Sequence, residues 1–288
     1  MKISAIDVGS NSVRLGLVAD GKTLYKRLAT TRLGEGLALS GRILPAAIER
    51  TAQAIAKFVK EANADGAARV YVFATAAVRS AVNRQDFLAR VKELCGIEVD
   101  VVSGQEEARL GILGALKGAD GGIIDVGGAS TEVTVQRGGQ ALYSHSADVG
   151  TVRLHDLAGR DLEKLEKAAA ASIESYGVFD ASSFDMYAIG GTATTLASVK
   201  HGLKVYDPAI TDGTVLYADE IYDMAKYILS LSVEEVREIS GMEPRRADVI
   251  GGGCLLTHLV MKHFGVNKIT VSESDNLEGY IMLKEGLE

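Results

Sequence analysis

One short pattern occurs twice and constrains the fold more than any other feature of the chain. Residues 6–12 read IDVGSNS and residues 124–130 read IDVGGAS, so Asp7 and Asp125 occupy the same place in two similar stretches. In each copy, an apolar segment, a turn of small residues and a second apolar segment follow one another, as expected for two strands joined by a tight turn. One such turn could simply be a good hairpin turn, but two matched copies favour a repeated unit with a shared function.

The rest of each half follows the same order of hydrophobic patterns. In the first half we predict strands at 3–8, 13–18, 23–31, 69–75 and 97–102, and helices from Leu44, after Asn83 and from Ser103. In the second half we predict strands at 121–126, 131–136, 140–149, 185–191 and 268–272, and helices at 161–176, 192–199, about 218–231, about 245–264 and the end of the chain.

These patterns predict an α/β fold of two similar domains, residues 1–120 and 121–274, with mixed sheets and a cleft between them. Both aspartate turns would face into the cleft. We expect the last helix, residues 275–288, to pack back onto the first domain.

Composition excludes several classes of protein. The chain of 288 residues is 47% hydrophobic and 24% charged, which is typical of a folded globular protein. It contains no apolar run long enough for a membrane span, and Asp7 interrupts the first apolar segment, so we expect neither a membrane partner nor a secretory signal, and a cytoplasmic location. Cys95 and Cys254 fit buried free thiols better than a disulfide, which stays an alternative.

The net charge of −7 argues against a nucleic-acid partner. A polyanion would have to be bound by a local cluster of donors. The sequence leaves the oligomeric state open, and we keep a homodimer as one alternative.

The two turns carry the groups that bind phosphate. Glycines let the backbone approach a ligand, and consecutive N–H groups of a turn form an anion-binding nest. Asp7 and Asp125 would repel phosphate directly, and their presence makes sense if Mg²⁺ lies between carboxylate and phosphate. The candidate phosphate-binding residues of the turns are Gly9, Ser10, Asn11, Ser12, Gly127, Gly128, Ser130 and Thr131.

Two further glycine-rich stretches follow in the second half. GGTATT (190–195) lies between a strand and a helix, where free N–H groups at the helix start bind anions, so Gly191 and Thr192 are further candidates. GGGCLL (251–256) fits either close helix packing or a nucleotide-binding surface, and both interpretations stay open.

The pair Glu106 and Glu107 lies at a predicted helix start. Ser103 and Glu106 have the spacing of a capping box, which leaves Glu107 unused by the cap. A free glutamate beside a phosphate cleft could orient a water molecule for attack, but an acidic residue is also favoured there by the helix dipole. Among the arginines, Arg14 and Arg79 are candidates for binding phosphate, because a guanidinium can donate two hydrogen bonds to one phosphate group.

Seven motifs, in order and over nearly the whole chain, resemble the exopolyphosphatase / guanosine pentaphosphate phosphohydrolase family. This family belongs to the superfamily of sugar kinases, heat-shock chaperones and actin. The motifs are IDVGSNSVRL, ATAAVRSAVN, VVSGQEEARLGILGAL, IDVGGASTEV, VGTVRL, AIGGTATTLA and RRADVIGGG.

The resemblance implies two ribonuclease-H-like (actin-like ATPase) domains. It also implies Mg²⁺-dependent removal of the terminal phosphate from inorganic polyphosphate or guanosine pentaphosphate. By motif, Glu107 would be the catalytic residue, Glu132 a second candidate for positioning water or metal, and Asp7 and Asp125 the metal-linked carboxylates. Arg79 would bind phosphate.

Two positions depart from the family pattern: Ala129 replaces a third glycine, and Leu277 stands where the family often has an arginine.

We therefore expect an exopolyphosphatase in which Glu107 activates water. Guanosine pentaphosphate hydrolysis, a sugar or acid kinase and a non-catalytic alarmone sensor are the alternatives. A dinucleotide-binding Rossmann domain is excluded, because a second strand and no GxGxxG turn follows the first strand.

Overall fold

The first sheet is built around strand β1, which is buried on both faces. The computed structural model describes residues 1–287. The sheet has the order β3-β2-β1-β4-β5, with β1 antiparallel to β2 and parallel to β4. Its strands are β1 (Lys2–Val8), β2 (Ser12–Ala19), β3 (Lys22–Thr30), β4 (Arg69–Ala74) and β5 (Asp100–Val101). The fifth strand, predicted at 97–102, is only two residues long.

The second sheet repeats this arrangement. Its order is β10-β11-β9-β6-β7-β8, so β8-β7-β6-β9-β11 reproduces the order of the first sheet, and β10 adds an antiparallel edge that the sequence did not predict. The strands are β6 (Gly121–Val126), β7 (Thr131–Arg137), β8 (Gln140–Ala147), β9 (Met186–Ile189), β10 (Val215–Tyr217) and β11 (Lys268–Val271). The prediction of two similar α/β units with mixed sheets, in the ribonuclease-H-like arrangement, is confirmed.

Helices cover the faces of both sheets. They are α1 (Leu37–Ser40), α2 (Pro45–Ala64), α3 (Ala76–Ser80), α4 (Arg84–Cys95), α5 (Gly104–Leu116), α6 (Thr151–Ala158), α7 (Leu162–Glu174), α8 (Gly190–Lys200), α9 (Pro208–Thr211), α10 (Ala218–Ser230), α11 (Val233–Arg237), α12 (Ile250–His263) and α13 (Asn276–Glu285). The helix predicted at 245–264 starts only at Ile250, because Pro244–Arg246 form a 3-10 turn. No helix within residues 1–287 is long and apolar enough to span a membrane. Both cysteines are free thiols.

The glycines of α12 serve close packing. A Cβ on Gly251 would lie 2.6 Å from Leu229 Cδ2, and one on Gly253 would lie 2.8 Å from Thr151 Cγ2. Of the two interpretations of this stretch, the structure supports helix packing.

Helices α5 and α13 cross between the two sheets. Helix α13 packs against α5, β1 and β2, whereas α5, which we assigned to the first domain, packs against β6, β7 and β8. The crossing is very close, because a Cβ on Gly114 would lie 2.0 Å from the carbonyl oxygen of Asp275, and one on Gly279 1.9 Å from that of Leu110. The domain boundary near residue 120 stays a prediction, but the two helices tie both sheets into one unit.

Candidate active site

The two aspartate turns have the same backbone geometry. In the first, Gly9 N donates to Ser12 O across 3.0 Å, and in the second, Gly127 N donates to Ser130 O across 3.0 Å. The strand registers also correspond, since Asp7 lies opposite Arg14 and Asp125 opposite Glu132. The repeat in the sequence is therefore a repeat in three dimensions.

Both turns line a single small cavity of about 70 Å³ between the sheets. A Cβ on Gly128 would lie only 2.8 Å from Ser10 Cβ, so the turns are in direct contact. Asp7, Asp125 and Glu107 all face this cavity, although they come from β1, β6 and α5. Its other walls include Gly9, Ser10, Asn11, Ser12, Arg14, Thr75, Gly127, Gly128, Ala129, Ser130, Gly190, Gly191, Arg246 and Asn276.

The buried carboxylates around the small cavity repel one another. Burial raises the pKa of Glu107 to about 7 and that of Asp125 to about 7, although Arg79 acts to lower the first and Arg14 the second. Burial also raises the pKa of Asp7 and of Glu132, in the latter case with Glu107 and Asp125 adding to the effect. So many buried carboxylates in one place create a strong demand for positive charge.

The predicted helix start is confirmed, and it leaves Glu107 free of the cap. Ser103 and Glu106 form the capping box, with Ser103 N donating to Glu106 Oε2 across 2.7 Å. Glu107 is buried instead, and Arg79 Nη1 donates to its Oε2 across 2.9 Å. Arg79 Nη1 also donates to Val102 O, so Arg79 holds Glu107 in place, while its binding of phosphate stays a prediction.

Arg14 is likewise occupied by carboxylates. Its Nε donates to Asp7 Oδ2 across 3.1 Å, its Nη2 contacts the same oxygen, and its Nη1 donates to Asp275. The guanidinium therefore connects two buried aspartates, and its role as a phosphate ligand stays a prediction. Asp7 Oδ1 has no hydrogen-bond partner among the described residues.

Three other predicted side chains are directed into the protein. The hydroxyl of Thr131 donates to Val149 O across 2.6 Å, and that of Thr192 donates to Val126 O across 2.7 Å. Glu132 is 1% exposed and accepts from Ser146 Oγ across 2.6 Å, behind the second turn. These side chains hold the backbone around the cavity and do not line it.

Arg246 is the functional candidate that the sequence did not single out. It is 7% exposed, lines the cavity, and forms no ion pair within residues 1–287; its nearest polar contact is Ser12 Oγ at 3.5 Å. Burial and the neighbouring Arg14 lower its pKa to about 10. Gly191 makes room for it, because a Cβ there would lie 2.1 Å from Arg246 Nη2. A buried cation without an acidic partner is costly unless an anion joins it.

The two departures from the family pattern are accommodated by packing. Ala129 is buried and is not among the non-glycine residues with positive φ, so its methyl group causes no backbone strain. Leu277 is 1% exposed and packs in the core against β2, where its Cδ1 would lie 3.4 Å from a Cβ on Gly16. This position is a core position and does not reach the cavity.

The oxygen atoms around the cavity fit a hard divalent cation. Asp7 Oδ1 is buried and unpartnered, and Asp125 lies on the same cavity. No group of three or more Asp, Glu, His or Cys side chains within residues 1–287 is arranged to hold a metal by itself. Mg²⁺ typically uses one or two carboxylates together with phosphate oxygens and water, and the oxygens of Asp7 and Asp125 match that donor set.

A second, larger cavity of about 630 Å³ adjoins the first. The two share Arg14, Gly190, Gly191 and Arg246. Its walls carry the basic residues Arg14, Lys26, Arg27, Lys204, Arg237 and Arg246, the acidic residues Glu243, Glu273 and Asp275, and apolar residues that include Leu203, Ile239 and Met242. A ligand could therefore have one end in the small cavity and the rest in the large one.

Comparison with known proteins gives a consistent picture. The model of the Ppx/GppA phosphatase family matches residues 17–287. Exopolyphosphatase 2 of Mycobacterium tuberculosis is 29% identical over 319 aligned residues, covering 99% of this chain and 99% of that protein. The guanosine-5'-triphosphate,3'-diphosphate pyrophosphatase of Photobacterium profundum is 26% identical, covering 96% of this chain and 58% of that protein. The crystal structure of the Aquifex aeolicus member of the Ppx/GppA family matches with a TM-score of 0.76 and 29% identity, covering 100% of this chain and 98% of that one.

Proposed function

The chain belongs to the Ppx/GppA phosphatase family, and we propose that it is an exopolyphosphatase that removes the terminal phosphoryl group of inorganic polyphosphate with Mg²⁺. One observation carries the proposal: the small cavity places the unpaired cation Arg246 and two phosphate-binding turns beside Glu107. This is the combination that transfer of a phosphoryl group to water requires.

The terminal phosphoryl group binds between the two turns in this proposal. The backbone of both turns and the residues Ser10, Ser12 and Ser130 line the cavity, and Arg246 supplies a positive charge that forms no ion pair within residues 1–287. The cavity of about 70 Å³ has room for one phosphoryl group and not for a longer phosphate chain. The bond to be cleaved then lies towards the large cavity.

Glu107 is the proposed general base. Burial raises its pKa to about 7, which suits a base that accepts a proton at neutral pH. Arg79 holds its Oε2, which fixes the direction of the carboxylate. Glu107 orients a water molecule towards phosphorus and takes its proton while the bond to the departing chain breaks.

Asp7 and Asp125 would hold Mg²⁺ through Asp7 Oδ1 and the carboxylate of Asp125. When bound, the ion supplies charge neutralisation for the phosphoryl oxygens. Arg14 stays on Asp7 Oδ2 and keeps the other oxygen available on the cavity side.

The remainder of the substrate occupies the large cavity. A phosphate chain leaving the small cavity passes Arg246, which lines both cavities, and then meets Lys204. Arg14, Lys26 and Arg237 line the same path, where each also pairs with a carboxylate. These charges favour a linear polyanion.

A second candidate substrate is guanosine pentaphosphate. The large cavity also has an apolar wall of Leu203, Ile239 and Met242, which a bare phosphate chain would not use and a nucleoside could contact.

A side-by-side assay tests both candidates. Phosphate release with Mg²⁺ is measured from short polyphosphate, long polyphosphate, guanosine pentaphosphate and ATP, each with and without a sugar or acid acceptor. We expect polyphosphate to give the highest kcat/KM. A preference for guanosine pentaphosphate would replace the first candidate by the second, and turnover that depends on an acceptor would overturn both.

A further inference from the structure

The start of α13 lies at both cavities, because Asn276 lines the small one and the N-cap residue Asp275 lines the large one. Asp275 is the N-cap of this helix: its Oδ1 accepts from Leu277 N across 3.0 Å, and its own N–H donates to Glu278 Oε2 across 3.0 Å. Both Asp275 and Asn276 are almost fully buried. The capping box therefore holds these two residues in one orientation.

Asp275 acts on Asp7 through Arg14. The guanidinium lies between the two carboxylates, with Nη1 on Asp275 and Nε and Nη2 on Asp7 Oδ2. Lys26 Nζ is 3.4 Å from the same Asp275 oxygen. Because Asp275 holds Nη1 of Arg14, the guanidinium reaches only Oδ2 of Asp7, and Asp7 Oδ1, which has no hydrogen-bond partner within residues 1–287, is left for another cation.

Asn276 acts directly on Asp125. Its Nδ2 donates to Asp125 Oδ2 across 3.1 Å. Asp275 thus reaches Asp7 through Arg14, and the next residue, Asn276, contacts Asp125 directly. Asp7 lies in the first sheet and Asp125 in the second.

The same helix is locked against the helix that carries Glu107. Gly279 and Gly114 bring the backbones of α13 and α5 into contact, and the carbonyl of Asp275 itself lies at this crossing. The start of α13 therefore has a fixed position relative to Asp7, Asp125 and Glu107.

We propose that Asp275 and Asn276 form a brace, a pair of positioning residues that orient Asp7 and Asp125 and thereby set the affinity of the cavity for a divalent cation. The inference rests on the Mg²⁺ site of the proposed function. Partners that orient metal ligands typically contribute about 10-fold to 100-fold to metal affinity.

The test measures binding of Mn²⁺ alone, in place of Mg²⁺, to the full chain without substrate, using electron paramagnetic resonance to count free ion. The variants are Asp275→Asn, which keeps an N-cap acceptor while it removes the charge, and Asn276→Ala, which removes the bond to Asp125. Tyr280→Phe is the matched control, because Tyr280 lies on the same helix but donates to Asp100 across 2.8 Å, away from the cavity. Thermal melts of all variants establish that they are folded.

We expect the Kd for Mn²⁺ to rise about 10-fold to 100-fold in Asp275→Asn and in Asn276→Ala, and to stay unchanged in Tyr280→Phe. Wild-type affinity in both folded brace variants would overturn the brace, as would a wild-type protein that binds no Mn²⁺. If one brace variant does not fold, the other decides the question by itself.

The outcome is separable from that of the proposed function. A wild-type protein that hydrolyses polyphosphate, with brace variants of unchanged Mn²⁺ affinity, would refute the brace alone. Weakened Mn²⁺ binding in the variants of a protein that hydrolyses no phosphate chain would support the brace and refute the function.

Discussion

The Nη1 group of Arg79 donates to Glu107 Oε2 across 2.9 Å, so the guanidinium holds the proposed general base. Arg79 lies in α3, which follows β4, and Glu107 lies in the first turn of α5. Arg79 also donates to Val102 O, which fixes the guanidinium against the backbone. The cation therefore has both an orienting and an electrostatic effect on Glu107.

Replacing Arg79 by Met is expected to lower kcat by up to about 100-fold, because a displaced base aligns water poorly, while KM changes little. The pH at which the rate is half-maximal should also rise, since Arg79 lowers the pKa of Glu107. Steady-state kinetics between pH 6 and 9 measure both effects. The control is Arg84→Met, at an exposed position at the start of α4. If Arg79→Met mainly has a higher KM, with kcat little changed, Arg79 contributes to phosphate binding and not to the orientation of Glu107.

Replacing Glu107 by Gln is expected to reduce phosphate release by about 10²-fold to 10⁴-fold, the usual cost of losing a general base. Glu106→Gln is a closely matched control, because Glu106 is the adjacent residue of the same helix but serves the capping box. Near-wild-type activity of the Glu107 variant would exclude it as the base.

Replacing Arg246 by Met is expected to weaken binding of inorganic phosphate and raise KM, because the variant loses a buried cation of the cavity that forms no ion pair within residues 1–287. The same variant should melt at a higher temperature without ligand, since a buried unpaired charge destabilises the fold. Calorimetry with phosphate and thermal melts measure the two effects. Arg245→Met, at the adjacent exposed residue, should change neither. Unchanged phosphate affinity in the Arg246 variant would contradict its role.

The contrast between Arg245 and Arg246 also shows what a sequence can and cannot predict. The two arginines are neighbours in the chain, and no local pattern distinguishes them. Only the 3-10 turn at Pro244–Arg246 and the absence of a side chain at Gly191 direct Arg246 into the cavity. Its role depends on segments that are far apart in the sequence.

The repeated turns were predictable because their signal is local. Apolar segments of strand length, the small residues between them and the capping box at Ser103 are all read within about ten residues. Arg14 was not predictable in this way, since its partner Asp275 is separated from it by nearly the whole chain. From sequence alone, Arg14 is predicted to bind phosphate because it lies on a strand beside a phosphate-binding turn. Its contact with Asp275 becomes apparent only when the position of α13 in the fold is known.

The stability of the ligand-free protein is expected to rise as the pH falls from about 8 to about 5. Glu107 and Asp125 have folded-state pKa values of about 7, above their unfolded values near 4. Keeping either carboxyl group ionised therefore costs more free energy in the folded state than in the unfolded state, and this cost is complete above pH 7. Protonation through this window removes that cost. Asp275, whose pKa is lowered to about 2, contributes in the opposite sense, and its stabilisation is lost as the pH falls from about 4 towards 2.

Thermal melts in a chelating buffer measure this profile. Glu107→Gln should flatten the part between pH 8 and 5, because one of the buried carboxyl groups with a raised pKa is gone. A melting temperature that falls steadily from pH 8 to 5 would show that these carboxyl groups are not destabilising in the folded state.

Replacing Gly114 by Ala is expected to lower the free energy of unfolding by about 3 kcal/mol or more, as overpacking at a rigid contact does. The new Cβ would lie 2.0 Å from the carbonyl oxygen of Asp275, and neither backbone can yield without separating α5 from α13. Because Asp275 lies at this contact, the variant should also lose affinity for Mn²⁺. The control is Gly252→Ala in α12, where a Cβ would meet Leu165 Cδ2 at an ordinary 3.5 Å and the helix gains from alanine. Urea denaturation compares the two, and equal stability of the Gly114 variant and the wild type would mean that the two helices are not locked together at this crossing.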